Sequence, residues 1–356
     1  MKIFVLIGTL FLLIGLQSSA ALAADTKYAG SFLELGIGAR AMAMGGAYVS
    51  VADDGSAFYW NPAGVSTLQR PELFGMYASL FKSLERHHQI GFTKPLYGGA
   101  AFSLNWIRLS VTDIPRYDSK NLESNYSNRV NEASTSASNW EELQELGIVL
   151  TDAPLGYSSF TNDAFFLTLS KLYKIDVDFG WQYFVLPIEV PLGINVKFLR
   201  QSLFDKTSSG LGFDLGGMLK FGIDDLFDDN RLGKFSIGYA LKDVLNTKIT
   251  WNTDSRQSSK IPRNWYLGAS YFQPLPNIHG QLLFSYALSS KYDRVNHFGL
   301  EYVYYGKLAI RFGLENQQFT AGVGLKVLFF NFDYAYRGWF IINDCHPGDL
   351  YGRLQR

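Results

Sequence analysis

Two adjacent histidines, His87 and His88, are the first histidines in the chain and could form a metal-binding pair. Neighbouring residues of a strand point to opposite faces, so one ion rarely meets both, and a polar strand start accounts for them better. The run 224–230, DDLFDDN, has oxygens enough for calcium. It lacks the spacing and the glycine of an EF-hand loop, which leaves a solvated turn. Asp53 and Asp54 could act as a catalytic acid pair, but capping a short helix asks less of them. Cys345 stands beside His346 with no second element of a nucleophilic site. The chain has no G-x-S-x-G, H-E-x-x-H, P-loop or dinucleotide fingerprint. These residues point away from an enzyme and toward no cofactor and no metal.

The elements that carry them belong to an exported chain. Lys2 precedes an apolar stretch over 3–16, then Gln17-Ser18-Ser19, then Ala21-Leu22-Ala23-Ala24. A charged start, an apolar middle and small residues at the cut describe a secretory signal peptide, 1–23. Lys and Arg number 32, as do Asp and Glu, and no basic block stands out, so nucleic acid is a poor partner. A single cysteine gives no internal disulfide. Past the signal no apolar run reaches the roughly 18 residues of a membrane helix. An exported chain with 28 Phe, 21 Tyr and 34 Gly is then a soluble β protein or a transmembrane β-barrel.

From Gln69 onward the sequence alternates. Leu211, Phe213, Leu215, Leu219 and Phe221 share one face, and Gly212, Asp214, Gly216, Met218 and Lys220 the other. The same period recurs over 190–198, 297–305, 308–314 and 320–327. Further strands are expected over 72–81, 88–93, 100–110, 164–171, 235–245, 265–272, 281–289 and 330–336, thirteen in all. Their polar faces are rich in Gly and carry isolated charges of both signs: Asp214, Lys220, Glu301, Arg311, Lys326 and Asp333. A sandwich would turn these faces to water and a barrel would turn them to its lumen. Strand length and small, charge-mixed faces favour the barrel. Short turns alternate with longer links, the longest over 111–162. From a periplasmic N-terminus, strand parity sends that loop outside the cell and 224–230 to the periplasm.

The stretch 38–65, GARAMAMGGAYVSVADDGSAFYWNPAGV, resembles the N-terminal signature of PorV/PorQ-type proteins, relatives of the FadL outer-membrane transporters. LGFDLGGMLKF from Leu211, FSIGYALKDVLN from Phe235, IPRNWYLGASY from Ile261, HFGLEYVYYGKLAIRFGL from His297 and FTAGVGLKVLFFNFDYAY from Phe319 agree. The resemblance implies an all-β, 14-stranded barrel over 67–340 with an internal plug over 24–66. It also implies a bacterial outer-membrane location. The residues suit a plug. Gly36, Gly38, Gly45 and Gly46 allow close packing and positive φ. Asp53 or Asp54 can cap a helix reaching Trp60, and Asn61 can cap the next turn, with Pro62 at its first position ahead of Ala63 and Gly64.

Pro191 deletes a ladder donor from a good strand, with Pro187 and Gly193 beside it. A β-bulge is the favoured reading; in FadL-like barrels a kinked strand of this kind opens a side exit for apolar substrates. The tail 341–356 is polar, contains Pro347 and Gly348, and departs from the usual closing strand. The resemblance implies an accessory or shuttle part in type IX-like secretion, with secreted proteins or the secretion machinery as partners beside outer-membrane lipid. The alternatives are passive transport of a hydrophobic small molecule and a purely structural barrel.

Overall fold

A computed structural model of the chain describes residues 30–80, 84–116, 156–178, 180, 185–227, 229, 231–290, 294–316 and 318–338. The signal peptide, the middle of the longest loop, Asp228, Asn230, Cys345 and the tail 341–356 lie outside the described residues.

Among the described residues the fold is one antiparallel sheet of fifteen strands. They are β1 (Glu72–Leu80), β2 (Glu85–Pro95), β3 (Ala100–Arg116), β4 (Gly156–Asp178) and β5 (Val185–Leu203). Then come β6 (Lys206–Gly222), β7 (Lys234–Lys242), β8 (Lys248–Trp251), β9 (Ser258–Lys260) and β10 (Asn264–Leu275). The last are β11 (Gly280–Ser289), β12 (Val295–Tyr304), β13 (Leu308–Glu315), β14 (Gln318–Val327) and β15 (Phe330–Arg337). Thirteen follow one another along a single path, and each pairs antiparallel with the next. The other two, β8 and β9, form a small flap on β6 inside the link after β7. Alternation does not foretell that flap, because strands of four and three residues in a polar link carry too little pattern.

Alternation decides which way each strand faces. In β6, Leu211 and Phe213 are exposed, whereas Asp214 and Met218 are buried. Strands β3 to β6 run 17 to 23 residues, longer than the periodic stretches alone suggest. β4 and β5 extend past those stretches at both ends of the sheet, and β3 toward the end that carries the link 117–155. The pairing β3–β4 shifts register between Val111 and Ile114, where Asp113 takes φ 61°. At the opposite end, β2–β3, β10–β11, β12–β13 and β14–β15 are joined by short turns, and β6–β7 by the helix Ile223–Phe227.

Pro191 does not make the expected bulge. The pairs Glu189↔Lys220 and Leu192↔Gly217 keep one register, and only the two pairs between them are missing. Proline removes one donor, and no residue is inserted.

The core is not made by the strands alone. Residues 30–68 lie against the face of the sheet that carries the small and polar side chains, and they are almost wholly buried. Tyr48, Phe58, Ile37, Met44, Val49 and Val65 are among the largest fully buried side chains. Phe58 meets Phe166 of β4 edge-on at 5.1 Å. Burial of such a ring contributes about 2–3 kcal/mol. No described helix is long and apolar enough to cross a membrane.

Candidate functional site: the N-terminal segment and the cavity beside it

The segment folds as short turns because its sequence permits little else. Gly30, Gly36, Gly38, Gly45 and Gly46 all take positive φ, and they interrupt any long helix. Between them lie a 3-10 turn Ser31–Glu34, a helix Ala39–Ala43, a helix Ala57–Trp60 and a 3-10 turn Pro62–Thr67. The Asn61 side chain accepts from Ala63 N–H at 3.2 Å, with Pro62 at the first helical position. Asp54 accepts from the Ser56 N–H at 2.9 Å, ahead of the helix that ends at Trp60. Asp53 instead faces Arg40.

Glycines of the sheet admit this backbone. A Cβ on Gly193 or Gly216 would strike Pro62, and one on Gly238 would strike Val49 and Ser50. A Cβ on Gly299 would meet Met44 at 2.9 Å, on Gly313 the Met44–Gly45 backbone, and on Gly322 Ala43 at 2.5 Å. From the other side, a Cβ on Gly45 would reach the Leu314 backbone at 2.7 Å; within the segment, one on Gly64 would strike Ala52. These sheet glycines lie on β5, β6, β7, β12, β13 and β14, so contact runs across most of the sheet.

Polar side chains of the strands then satisfy the segment's carbonyls. Ser236 donates to Ser50 O at 2.8 Å, Ser285 to Ala47 O at 2.5 Å, and Thr320 to Ala43 O at 2.9 Å. Asn195 donates to Phe58 O at 2.7 Å. His297 Nδ1 lies 2.8 Å from Gly45 O; a carbonyl only accepts, so that nitrogen carries the proton. Asn61 Nδ2 bonds Val49 O at 2.8 Å and Gly217 O at 3.2 Å, joining two turns of the segment to β6. Buried backbone without such partners would destabilise the packing.

Two ionic clusters flank the contact. Arg40 holds Glu301 of β12 through two bonds of 2.8 Å, and it meets Asp53 at 2.6 Å. Glu301 also accepts from Arg311 of β13 at 2.5 Å, and Arg311 reaches Asp333 of β15 at 2.6 Å. In the second cluster Lys197 of β5 meets Asp214 of β6 at 2.7 Å and Asp243 at 2.9 Å. Burial pushes the Asp54 carboxyl above its ordinary value, and Arg40 pulls it only part of the way back.

Of the charges singled out on the strands, the fold brings Glu301, Arg311 and Asp333 together and places Asp214 in the other cluster. Lys220 and Lys326 line a cavity of about 1310 Å³. Arg40, Asp53, Asp54 and Glu72 line it too, with the inner sides of Phe74, Met76, Phe272 and Leu283. It sits toward the short-turn end of the sheet, between the N-terminal segment and the edges β1 and β15. His87 is buried, and His88 turns to the other face beside Tyr77 at 5.1 Å. Asp224 and Asp225 begin the helix at the short-turn end. Pro187 lines the cavity and Gly193 seats Pro62, while Pro191 lies in the gap of the β5–β6 ladder.

No protein-family model and no curated protein matches the chain. The reading therefore stands on the residues. Sequence reasoning missed Arg40, Lys197, Asp243 and the hydroxyls that bond the segment. Polar alternation hints at Lys197 and the hydroxyls without naming their partners, whereas Arg40, in the helix Ala39–Ala43, and Asp243, past the end of β7, have no such signal.

Proposed function

We propose that the chain is an outer-membrane β-barrel protein of the PorV/PorQ type, with residues 30–68 as an internal plug, serving as an accessory or shuttle component of protein secretion. The observation that carries this reading is the contact between plug and wall. Inward glycines on six strands admit the plug's backbone, and inward hydroxyls, Asn195 and His297 bond its carbonyls. A segment bonded on all sides suits a barrel that presents surfaces better than one that opens a pore. The outward rows of apolar residues, such as Phe284, Phe298, Phe312 and Leu314, suit a lipid surround. Export by the signal peptide and the sequence resemblance support the same location.

The test combines two readouts on the folded protein in lipid bilayers. The reading expects no ion conductance and the recovery of exported proteins or secretion components on co-purification from the native membrane. A steady conductance that is lost when the plug is locked to the wall would overturn it. One observation favours passive transport of a small molecule with a hydrophobic part instead: the cavity beside the plug has room for such a ligand and an apolar portion of wall, Phe74, Met76, Phe272 and Leu283, among its charged residues.

A further inference from the structure

Strand β3 begins at Ala100, opposite Lys171 of β4, but β4 runs on to Asp178. Over 172–178 its only strand partner among the described residues is β5. The turn Tyr97–Gly99 covers the first of these residues, since a Cβ on Gly99 would lie 2.7 Å from the Leu172 carbonyl oxygen. From Tyr173 on, the ladder groups that would meet a further strand are open. Burial changes phase at the same level. In β5, Ile194 and Leu192 are exposed, yet Val190, Ile188 and Leu186 on the same face are buried, with Pro187 and Val185 exposed instead. The buried three pack against Ile175, Val177 and Phe221 and against Leu226 of the helix Ile223–Phe227. Protein thus covers the outward row here. On the barrel reading this part of the β4–β5 hairpin stands in water beyond the hydrocarbon, because an open ladder edge does not occur in lipid.

We propose that residues 173–178 of β4 are a docking edge for an extended segment of a partner protein, one with basic residues on one face and apolar residues on the other. The segment adds as a strand: main-chain bonds hold it, and alternate side chains select it. The edge carries no proline and no bulge, two devices that usually deter pairing. Lys174, Asp176 and Asp178 share one face, and Tyr173, Ile175 and Val177 share the other. Lys174 already holds Glu189, its partner in β5, at 3.1 Å. Asp176 and Asp178 stand opposite Pro187 and Val185, which offer no charge. Among the described residues neither aspartate has an ion-pair partner; Asp178 accepts from the Gly180 N–H at 2.7 Å. Lys or Arg opposite both aspartates is therefore matched, and Asp or Glu there is repelled. A second copy fits less well. Two copies upright in one membrane would bring their β4 edges together in parallel, with like charges side by side. The proposal rests on the barrel reading for the watery setting of the edge, and not on a role in secretion or transport.

The test uses the full chain folded in lipid nanodiscs, which leave both membrane faces open. The probe is a capped peptide, Lys-Val-Lys-Ile-Glu-Val, written to pair antiparallel with the edge from Asp178 back to Tyr173. Saturable binding is expected. An added strand turns only alternate N–H groups to the edge, so methylating one alternate set of peptide nitrogens should abolish binding and methylating the other should not. The peptide Glu-Val-Glu-Ile-Glu-Val should bind about tenfold more weakly or worse, and Asp176→Lys with Asp178→Lys should restore it. No binding to inserted protein, or binding that ignores the methylation pattern or the charge exchange, overturns the proposal while the barrel reading stands. So does a dimer formed without peptide by oxidation of Ile175→Cys in the Cys345→Ser background, which would give the edge to a second copy. Insertion is read separately, from quenching of a label at Leu215→Cys by brominated acyl chains. A chain that folds without inserting takes the barrel reading and the docking edge down together.

Discussion

Gly313 shows what a single hydrogen atom does in this molecule. Its Cβ position is occupied by the backbone of Met44 and Gly45, so Gly313→Ala should lower stability by about 1–3 kcal/mol through overpacking. Gly156 has open space around it, and Gly156→Ala should leave the denaturant midpoint unchanged. Equal midpoints for the two variants would show that the segment does not press on β13. Gly216 also touches Asn61 and Pro62, so a side chain there disturbs the segment rather than sampling an empty interior. At Arg40 the expected effect is selective. Arg40→Met leaves Glu301 with Arg311 alone, so it should cost about 1.5–3 kcal/mol and expose 30–68 to protease while the sheet stays folded. Continued protection would show that Arg40 does not hold the segment to the sheet. Asp54 gives a pH signature. It keeps its proton to higher pH when folded than when unfolded, so its contribution is full below the ordinary carboxylate range. That contribution is lost as the pH rises through the raised value, and Asp54→Asn should flatten this part of the stability profile. An unchanged slope would assign the pH dependence to other groups.

At the scale of elements, the strands were legible and their neighbours were not. Leu211 to Phe221 shows its two faces because alternating burial repeats every two residues, as it does along β1, β2, β5 and β13, whereas β15 is exposed on both faces. The flap β8–β9 was illegible for want of length. The stretch 38–65 has no period, yet it supplies much of the core, because glycines and tight turns bury backbone as well as side chains. Its contacts with the sheet join residues far apart in sequence, such as Arg40 and Glu301, and no local pattern reports them. Pro191 was legible as a break but not as a gap in constant register. Pro191→Val restores an N–H, so it should fill the missing pairs and slow hydrogen exchange at Met218 and Leu219. Exchange as fast as before would show that something other than the proline holds the strands apart.

For the whole molecule the central claim is that the sheet turns its apolar rows to lipid and its small, charged rows to the N-terminal segment and cavity. Phe213→Arg should then cost about 2–4 kcal/mol if it sits near the bilayer midplane. The most direct measurement is fluorescence quenching by brominated acyl chains, with the protein folded in vesicles and labelled at single cysteines in the Cys345→Ser background. Leu215 is on the outward row of β6, and Lys220 lines the cavity on the other face of the same strand. The account predicts strong quenching of a label at Leu215→Cys and little at Lys220→Cys. Weak and equal quenching at both positions would contradict it.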